Sequence, residues 1–227
     1  MKKIETFHEE RIKKIEKNEV SISLKEGAKV VLHLIPVNSF YTQKHHDLSR
    51  FHRILELELL RGHTPSQTYN FDGLLNFQGD MECESFGYVQ LFTNGTIEAV
   101  GVYPFGPEER TDMKSLPIYR VEEDIVEKLE KYLLFQKEEL AVELPLVFYL
   151  SLLEVKECMI FIREMVIYEF EHARNFDADI LNFPKILIDN FDVDPKVILK
   201  TTFDRLWNAS SHPRSFHYND KGEWEEK

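Results

Sequence analysis

The pattern of hydrophobic and polar positions first predicts a helix near the N-terminus, over residues 3–17. Apolar side chains recur there at helical spacing and form one broad stripe: Ile4, Phe7, Ile12 and Ile15. Arg11 projects from within this stripe. Its side chain therefore either lays its aliphatic stem along the body of the protein or makes a specific buried pairing.

A buried strand is predicted next, over "AKVVLHLIP" at residues 28–36. The nearly continuous run of apolar, valine-rich positions is typical of a strand covered on both faces, and Pro36 ends it. His33 lies inside this run. A histidine in such a strand is more often a hydrogen-bonded core residue than a ligand.

Three antiparallel strands are predicted in the central part of the chain. Residues 69–77 alternate apolar and polar positions, which predicts one strand. Asp72–Gly73 then falls in the middle of that strand and indicates a bulge or a close backbone approach. Asn94–Gly95 lies between two further apolar runs and predicts a type I′ hairpin, so the three strands form a meander.

The C-terminal half alternates between helical and extended patterns. It predicts a helix over residues 121–140, a buried strand in "LVFYLSLLEV", an alternating strand in "CMIFIREMVIYEF" and an edge strand in "FPKILI". Asp194 and Pro195 fit the cap and the first position of a last helix. We expect the apolar face of that helix to consist of Val197, Ile198, Leu199, Phe203, Leu206 and Trp207.

Together these elements predict one α+β domain spanning residues 1–227. A largely antiparallel sheet carries packed helices, with an amphipathic helix within residues 1–18 and an irregular tail at 210–227. The length of 227 residues and the apolar content of 43% fit one packed core.

Charge and cysteine content narrow the classes of function. The net charge of −12 argues against a free-standing nucleic-acid-binding protein, because phosphate contacts need clustered lysine and arginine. Cys83 and Cys158 lie far apart without a CxxC spacing, which indicates a reducing compartment. The sequence shows no secretory signal and no apolar run of membrane-spanning length. We therefore expect a cytoplasmic protein without a membrane partner.

Histidines suggest a metal site only weakly. His45, His46 and His52 cluster within residues 43–52, but their spacing fits no helical pair of metal ligands. We expect a solvated loop there and keep His45 and His46 as weak metal candidates. The sequence has no P-loop, dinucleotide-binding or GxSxG motif, so we predict no cofactor.

Asn70 and Asp72 are the polar positions that most suggest a site. They share the less apolar face of a strand that otherwise resembles core, beside Gly73, which allows another group to approach. Their side chains either bond to a neighbouring loop, as buried polar groups usually do, or contact a ligand.

Several segments together resemble the C-terminal region of a bacterial protein family. They are spread over nearly the whole chain: "FHEERIKKI", "LKEGAKVVLHLIPVNSF", "DLSR", "YNFDGLL", "YVQLFTNGTIEAV" and "DRLWNASSHPRSFHYNDKGEW". Members of this family carry an N-terminal Schlafen/AlbA-type nucleic-acid-binding domain and are often described as helix-turn-helix or ATP-binding proteins. The shared motifs are fold-level motifs without a catalytic signature. They contain our candidate ligand or interaction residues: Arg11, Arg50, Asn70, Asp72 and Gly73.

The resemblance implies a non-enzymatic accessory domain that binds a protein partner or senses a ligand, in a regulatory or defence-type protein. In the family a nucleic-acid-binding module precedes "FHEERI". We therefore expect this chain to be either the isolated C-terminal domain or a naturally short relative, with nucleic acid contacted only indirectly. His45 and His46 lie outside "DLSR", so the resemblance does not support them as a site.

Two other functions stay open from the residues alone. One is a hydrolase or nuclease-like enzyme with a site at Asp72, Asn70 and the loop histidines. The other is direct binding of nucleic acid through Lys13, Lys14 and Lys17, which would depend steeply on salt.

Overall fold

Helices pack on a largely antiparallel sheet, which confirms the predicted α+β class. The computed structural model describes residues 1–42, 44–51, 57–61, 66–103, 115–156, 158–160, 175–176 and 178–226. The helices in these ranges are α1 Lys2–Glu16, α2 Ser39–Thr42, α3 Ile118–Glu138, α4 Pro195–Ile198 and α5 Lys200–Asn208. The strands are β1 Ala28–Pro36, β2 Ser66–Asn70, β3 Gly73–Phe77, β4 Gly87–Phe92, β5 Ile97–Tyr103, β6 Ser115–Leu116, β7 Leu146–Leu153, β8 Met159–Ile160, β9 Ile180–Asn182 and β10 Ile186–Ile188.

β1 lies in the middle of the main sheet. The strand order is β10-β7-β1-β5-β4-β3-β2, β9 also pairs with β7, and all these pairings are antiparallel. Every residue of β1 is buried, as predicted for a strand covered on both faces. A separate parallel pair joins β6 to β8.

The two faces of the sheet pack against different helices. Successive residues of a strand point to opposite faces. Leu32 of β1 therefore belongs to the core that contains Ile125 of α3, whereas Val31 belongs to the core that contains Ile12 and Ile15 of α1. The result is three layers, with α1 on one side of the sheet and α3 on the other.

The predicted single strand over residues 69–77 is wrong. β2 ends at Asn70 and β3 begins at Gly73, so Phe71 and Asp72 form a two-residue hairpin turn. Because Tyr69 pairs with Leu74 across this turn, it shares a face with Leu74 and not with Leu75, so the turn reverses the phase of the alternation. The exposed apolar Phe71 in the turn made the alternation look continuous along the sequence. The meander therefore has four strands, β2 to β5, and not three.

The hairpin between β4 and β5 is confirmed, but its predicted type I′ turn is wrong. Type I′ needs positive φ at both central residues. Only Gly95 has it, at φ 83°, and Asn94 does not. The Gly95 N–H donates to the carbonyl of Phe92, and the Phe92 N–H donates to that of Thr96, each at 2.9 Å. This is a type I turn followed by a glycine in the left-handed region.

The C-terminal half agrees with most of its predicted elements. α3, the buried strand β7 and the edge strand β10 are present. In "CMIFIREMVIYEF" only β8 is described as a strand, and residues 161–170 lie outside the described residues. Asp194 caps α4 by accepting the Lys196 N–H at 2.8 Å. The last helix is divided at Leu199, and Val197 is exposed, not part of the apolar face as predicted.

Candidate functional site

Two polar residues of α1 lie against the sheet and not in solvent. His8 and Arg11 are both buried, on the same side of the helix as Ile4, Ile12 and Ile15. Of the two alternatives for Arg11, the structure therefore shows the specific buried pairing. Its partner is Glu98 of β5, whose side chain is fully buried.

Glu98 is the centre of a buried hydrogen-bonded group that we call the Glu98 cluster: Glu98, Arg11, His33 and Tyr88. Arg11 donates from Nε to Oε2 at 2.7 Å and from Nη2 to Oε1 at 2.6 Å. His33 Nε2 lies 2.8 Å from Oε2, and the Tyr88 hydroxyl donates to Oε1 at 2.7 Å. Both carboxylate oxygens are therefore satisfied inside the protein, by a two-pronged guanidinium contact and two further donors.

The Glu98 cluster continues into a pair of histidines. His8 Nδ1 lies 2.9 Å from His33 Nδ1. Because the ionised carboxylate can only accept, His33 donates to it from Nε2, and one of the two facing Nδ1 atoms carries the proton of the His8–His33 hydrogen bond. The His8 ring also stacks on Tyr149 at 4.1 Å between centroids. The position of His33, in the core and hydrogen-bonded, is the one predicted from the strand.

Burial controls the pKa of His8, whereas hydrogen-bond donors control the pKa of Glu98. Burial lowers the pKa of His8 to about 3, and the neighbouring His33 adds to this effect. Burial alone would raise the pKa of Glu98, but hydrogen bonds from Arg11 and His33 outweigh it and lower the pKa to about 2. The cluster therefore holds an ionised Glu98–Arg11 pair and an uncharged His8 at neutral pH.

The β2–β3 hairpin lies beside this cluster and contains the predicted site residues. Asp72 Oδ2 is 3.9 Å from Arg11 Nη1, so the structure brings these two candidates together. Asn70 Oδ1 accepts the N–H groups of Asp72 at 3.0 Å and Gly73 at 2.9 Å, which closes the turn. Asn70 Nδ2 donates to Gln90 Oε1 at 2.6 Å. Asn70 Nδ2 also donates to Ser21 Oγ at 3.0 Å, so Asn70 closes the turn and ties the hairpin to β4 and to the loop after α1.

Gly73 is needed because another backbone approaches it. A Cβ at this position would lie 2.2 Å from the carbonyl oxygen of Leu91 on β4, and its φ is +145°. The close backbone approach predicted at Asp72–Gly73 is therefore confirmed. The approaching group is a neighbouring strand.

A cleft of about 500 Å³ adjoins the hairpin. It brings residues of the histidine-containing loop together with residues of β2 and β3. Its lining consists of His46, Asp47, Leu48, Ser49, Tyr69, Asn70, Gly73 and Thr93.

The loop histidines do not converge on a common centre. His45 is exposed, and its Nδ1 lies 3.1 Å from the Thr93 hydroxyl. His46 donates its backbone N–H to the Thr93 carbonyl at 2.7 Å, and burial lowers the pKa of its imidazole. In the part of the chain that the structure describes, no group of three or more His, Cys, Asp or Glu residues could hold a metal ion. His52 lies outside that part.

Arg50 is separated from the other candidates. Its guanidinium donates from Nη2 to the carbonyl oxygen of Glu139, at the end of α3, and lies 4.7 Å above the ring of Phe51. Arg11, Asn70, Asp72 and Gly73 therefore form one neighbourhood, and Arg50 belongs to another.

Sequence reasoning missed a second buried group, the Glu122 cluster: Glu122, Trp207, Ser215 and His217. Glu122 of α3 accepts from Trp207 Nε1 at 2.8 Å, from the Ser215 hydroxyl at 2.9 Å and from His217 Nδ1 at 2.7 Å. His217 also stacks on Trp224 at 4.1 Å. The residues after α5 contain no helix or named strand through residue 226, yet they fold back onto α3 through these contacts.

The sequence pattern gives little indication that Glu98 and Glu122 are buried. Glu98 is an acidic residue inside the apolar run of β5, and Glu122 lies in the first turn of the predicted helix, where an acidic residue is ordinary because it complements the helix dipole. Single acidic residues of this kind are common in a chain with 40 of them, so their burial follows only from the tertiary structure.

Comparison of the chain with protein-family models, with curated proteins and with solved structures finds no match. Among the helices in the described ranges, none combines the length and the apolar character that crossing a membrane requires.

Proposed function

We propose that this chain is a non-enzymatic accessory domain that binds a protein partner through the β2 edge and the tip of the β2–β3 hairpin. The observation that carries this proposal is Phe71, whose side chain is 102% exposed at the tip of the hairpin. The placement of the domain beside a nucleic-acid-binding module remains part of the proposal and rests on the sequence resemblance.

The β2 edge has the chemistry of a strand that accepts another strand. β2 ends the main sheet, and no described residue pairs with its free side. Its sequence "SQTYN" contains no charged residue and no proline. Edge strands that must avoid pairing usually carry lysine, proline or inward-pointing charges. The free N–H and C=O groups of β2 can therefore pair with an extended segment of a partner.

The hairpin tip adds an apolar anchor in a fixed position. Aromatic side chains that enter a partner's pocket often dominate the binding energy of an interface. The Asn70 side chain closes the turn that presents Phe71. Nearby, the Tyr69 hydroxyl lies 3.0 Å from the carbonyl oxygens of both Leu48 and Phe51. Such preorganisation lowers the entropy cost of binding.

The side chains of the hairpin support binding over catalysis. Asn70 closes the turn by accepting the N–H groups of Asp72 and Gly73. Asp72 is half-exposed and lies beside Arg11. Asn70 therefore positions Phe71 at the tip of the hairpin, which gives it a role in an interaction domain.

Salt dependence separates this mode of binding from direct binding of nucleic acid. Main-chain hydrogen bonds and an apolar anchor change little with ionic strength, whereas phosphate contacts weaken steeply as salt rises. With a net charge of −12, the chain favours the first mode.

The test places a photo-crosslinking amino acid at position 71 and, as a control, at position 134, in cells of the natural host. Leu134 is also an exposed large apolar residue, with 58% of its surface accessible, but it lies on α3. A protein that crosslinks at position 71 only is then purified, and its affinity is measured directly. We expect Phe71→Ala to weaken binding by about 30-fold, equivalent to about 2 kcal/mol, and Leu134→Ala to leave it unchanged.

Three results would contradict the proposal: no crosslinked protein specific to position 71, equal affinity of the wild type and the Phe71→Ala variant, or a crosslink only to a second copy of the chain. Thermal unfolding of Phe71→Ala should match the wild type, because an exposed side chain contributes little to folding stability.

A further inference from the structure

A polar cavity of about 430 Å³ lies on the α3 side of the sheet, away from the hairpin. We call it the α3 cavity. It is bounded by residues 58–61, by Tyr103 at the end of β5 and by the first half of α3. Charged side chains from two of these elements line it: Glu58, Arg61, Arg120, Asp124, Glu127 and Lys128.

Two of the carboxylates in the α3 cavity are neutralised by lysines. Lys128 Nζ lies 2.6 Å from Glu58 and 2.8 Å from Glu127. Lys131 Nζ lies at the same two distances from the same carboxylates. Hydrogen bonds from these lysines lower the pKa of Glu127 to about 2. This part of the cavity is therefore a closed network of two lysines and two glutamates.

The third carboxylate, Asp124, also has its own partners. It is buried, it accepts the Tyr103 hydroxyl at 3.1 Å, and Arg120 Nε lies 3.0 Å from its other oxygen. Arg120 additionally contacts Glu123 at 3.3 Å. Burial raises the pKa of Asp124, and Arg120 opposes that effect.

Arg61 is the cation of the α3 cavity that pairs with no carboxylate among the described residues. Its guanidinium lies 4.9 Å above the ring of Tyr103. Stacking on an aromatic ring holds the guanidinium plane while its N–H groups stay available at the edge of that plane. A planar fork of this kind matches the two oxygens of a carboxylate or phosphate group.

We propose that the α3 cavity binds a small anion carrying a carboxylate or phosphate group, with Arg61 as its main contact. The ring of Tyr103 orients the Arg61 guanidinium, and the hydrogen bond to Asp124 holds the Tyr103 hydroxyl in place. The paired lysines and Arg120 keep the cavity carboxylates from repelling the anion. This site is independent of the protein contact proposed at the β2 edge.

The experiment titrates the whole chain with inorganic phosphate and, separately, with succinate, and follows binding by calorimetry and amide chemical shifts. We expect saturable binding of at least one of them. Arg61→Gln should weaken it by at least about tenfold, the loss expected for a charge-assisted hydrogen bond. Arg61→Lys keeps the charge but loses the planar fork, so its affinity should fall between the two.

Arg50→Gln is the matched control. Arg50 stacks on Phe51 at 4.7 Å, much as Arg61 stacks on Tyr103, but it does not line the α3 cavity. Arg50→Gln should bind the anion with the affinity of the wild type. Phe71→Ala should also bind the anion normally, so that failure of the anion site can be distinguished from failure of the protein contact proposed at the hairpin. A response to phosphate alone or to succinate alone identifies the class of anion.

The anion site would be overturned if neither anion showed saturable binding up to about 50 mM, a concentration well above a Kd of about 1 mM for a weak site. It would also be overturned if Arg61→Gln bound the anion as tightly as the wild type, or if Arg50→Gln weakened anion binding as much as Arg61→Gln does. Thermal unfolding of each variant, recorded without anion, shows whether a loss of binding reflects a loss of fold.

Discussion

Glu98 and Glu122 are both fully buried and both hydrogen-bonded to a histidine, yet their pKa values move in opposite directions. The pKa of Glu98 is lowered to about 2, whereas burial raises the pKa of Glu122. Each carboxylate ties a separate part of the chain to the body of the protein. Glu98 holds α1 on one face of the sheet, and Glu122 holds the C-terminal segment on α3.

The contact of Arg11 with Glu98 explains the difference. Arg11 is always protonated and contacts both oxygens of Glu98. Glu122 receives hydrogen bonds from Trp207, Ser215 and His217, and these together with the charge interaction of His217 lower its pKa without overcoming burial. A permanent positive charge that donates to both carboxylate oxygens stabilises the ionised form more than donors that each make a single contact.

Substitutions in the Glu98 cluster and in the Glu122 cluster should therefore lower the free energy of unfolding in different ways. The contact of α1 depends on an ion pair, so removing Arg11 leaves Glu98 buried without the guanidinium charge that pairs with it. The contact of the C-terminal segment depends on several separate hydrogen bonds to Glu122 and on aromatic stacking of His217 with Trp224. Each of those contributes a smaller, separable share.

The largest loss of folding stability is expected for Arg11→Met. Methionine fills a similar volume but removes the charge that offsets the burial of Glu98. Breaking a buried ion pair in this way costs about 3–5 kcal/mol of the free energy of unfolding. Urea denaturation followed by circular dichroism measures the loss.

Lys14→Met is the control for this substitution. Lys14 is an exposed residue of α1 and makes no ion pair with any described residue. Its replacement should change stability by less than about 0.5 kcal/mol. If Arg11→Met were equally mild, the ion pair would not be what holds α1 on the sheet.

Two glutamine variants, Glu98→Gln and Glu122→Gln, should differ in how their free energy of unfolding changes with pH. The expected changes are of intermediate size. The pKa of Glu98 is about 2 in the folded protein against 4.5 in an unfolded chain, so its ionised form stabilises the fold above pH 4.5 and loses this contribution as pH falls toward 2. The destabilisation by Glu98→Gln should therefore shrink by about 2 kcal/mol between about pH 6 and pH 3.

Glu122→Gln should show the opposite trend. A raised pKa means that the folded protein binds a proton on Glu122 more tightly than the unfolded chain does. Acid therefore relieves a cost in the wild type, and the penalty of the glutamine variant grows as pH falls. Parallel pH profiles for the two variants would contradict the assignment of opposite pKa shifts.

The wild type itself should lose stability on acidification because of His8. The pKa of His8 is about 3 in the folded protein against 6.5 when unfolded, so protons favour the unfolded state from pH 6.5 down to about 3. His8 and Glu98 are both hydrogen-bonded to His33. The pH dependence due to His8 and the one due to Glu98 therefore both arise where α1 packs on the sheet.

The sequence contained the elements of both attachments but not their partners. The stripe of α1, the continuous apolar run of β1 and the Asp194 cap follow from local periodicity and turn chemistry, and all three are present. The pairing of Arg11 with Glu98 joins positions 87 residues apart. No local pattern contains that information.

The hairpin at Phe71 shows a second limit of local patterns. Alternation from residue 69 to residue 77 predicts that Tyr69 and Leu75 share a face, but the hairpin pairs Tyr69 with Leu74 and places Leu75 on the opposite face. The sequence also predicts Asn70, Asp72 and Gly73 as candidate ligand or interaction residues. In the structure they build the turn that exposes Phe71, a role that depends on how the strand folds back on itself.

The smallest effect is expected for Ser215→Ala in the Glu122 cluster. The Ser215 hydroxyl donates to Glu122 at 2.9 Å and accepts the His217 N–H at 3.2 Å, so its removal costs about 1–2 kcal/mol of unfolding free energy. Ser23→Ala, at an exposed serine, should cost almost nothing. Because the Ser215 hydrogen bond stabilises the ionised carboxylate, the cost should be smaller at acidic pH, where Glu122 takes up a proton. A cost that does not change with pH would mean that Ser215 acts only through the His217 backbone, and that its hydroxyl does not stabilise the ionised Glu122 carboxylate.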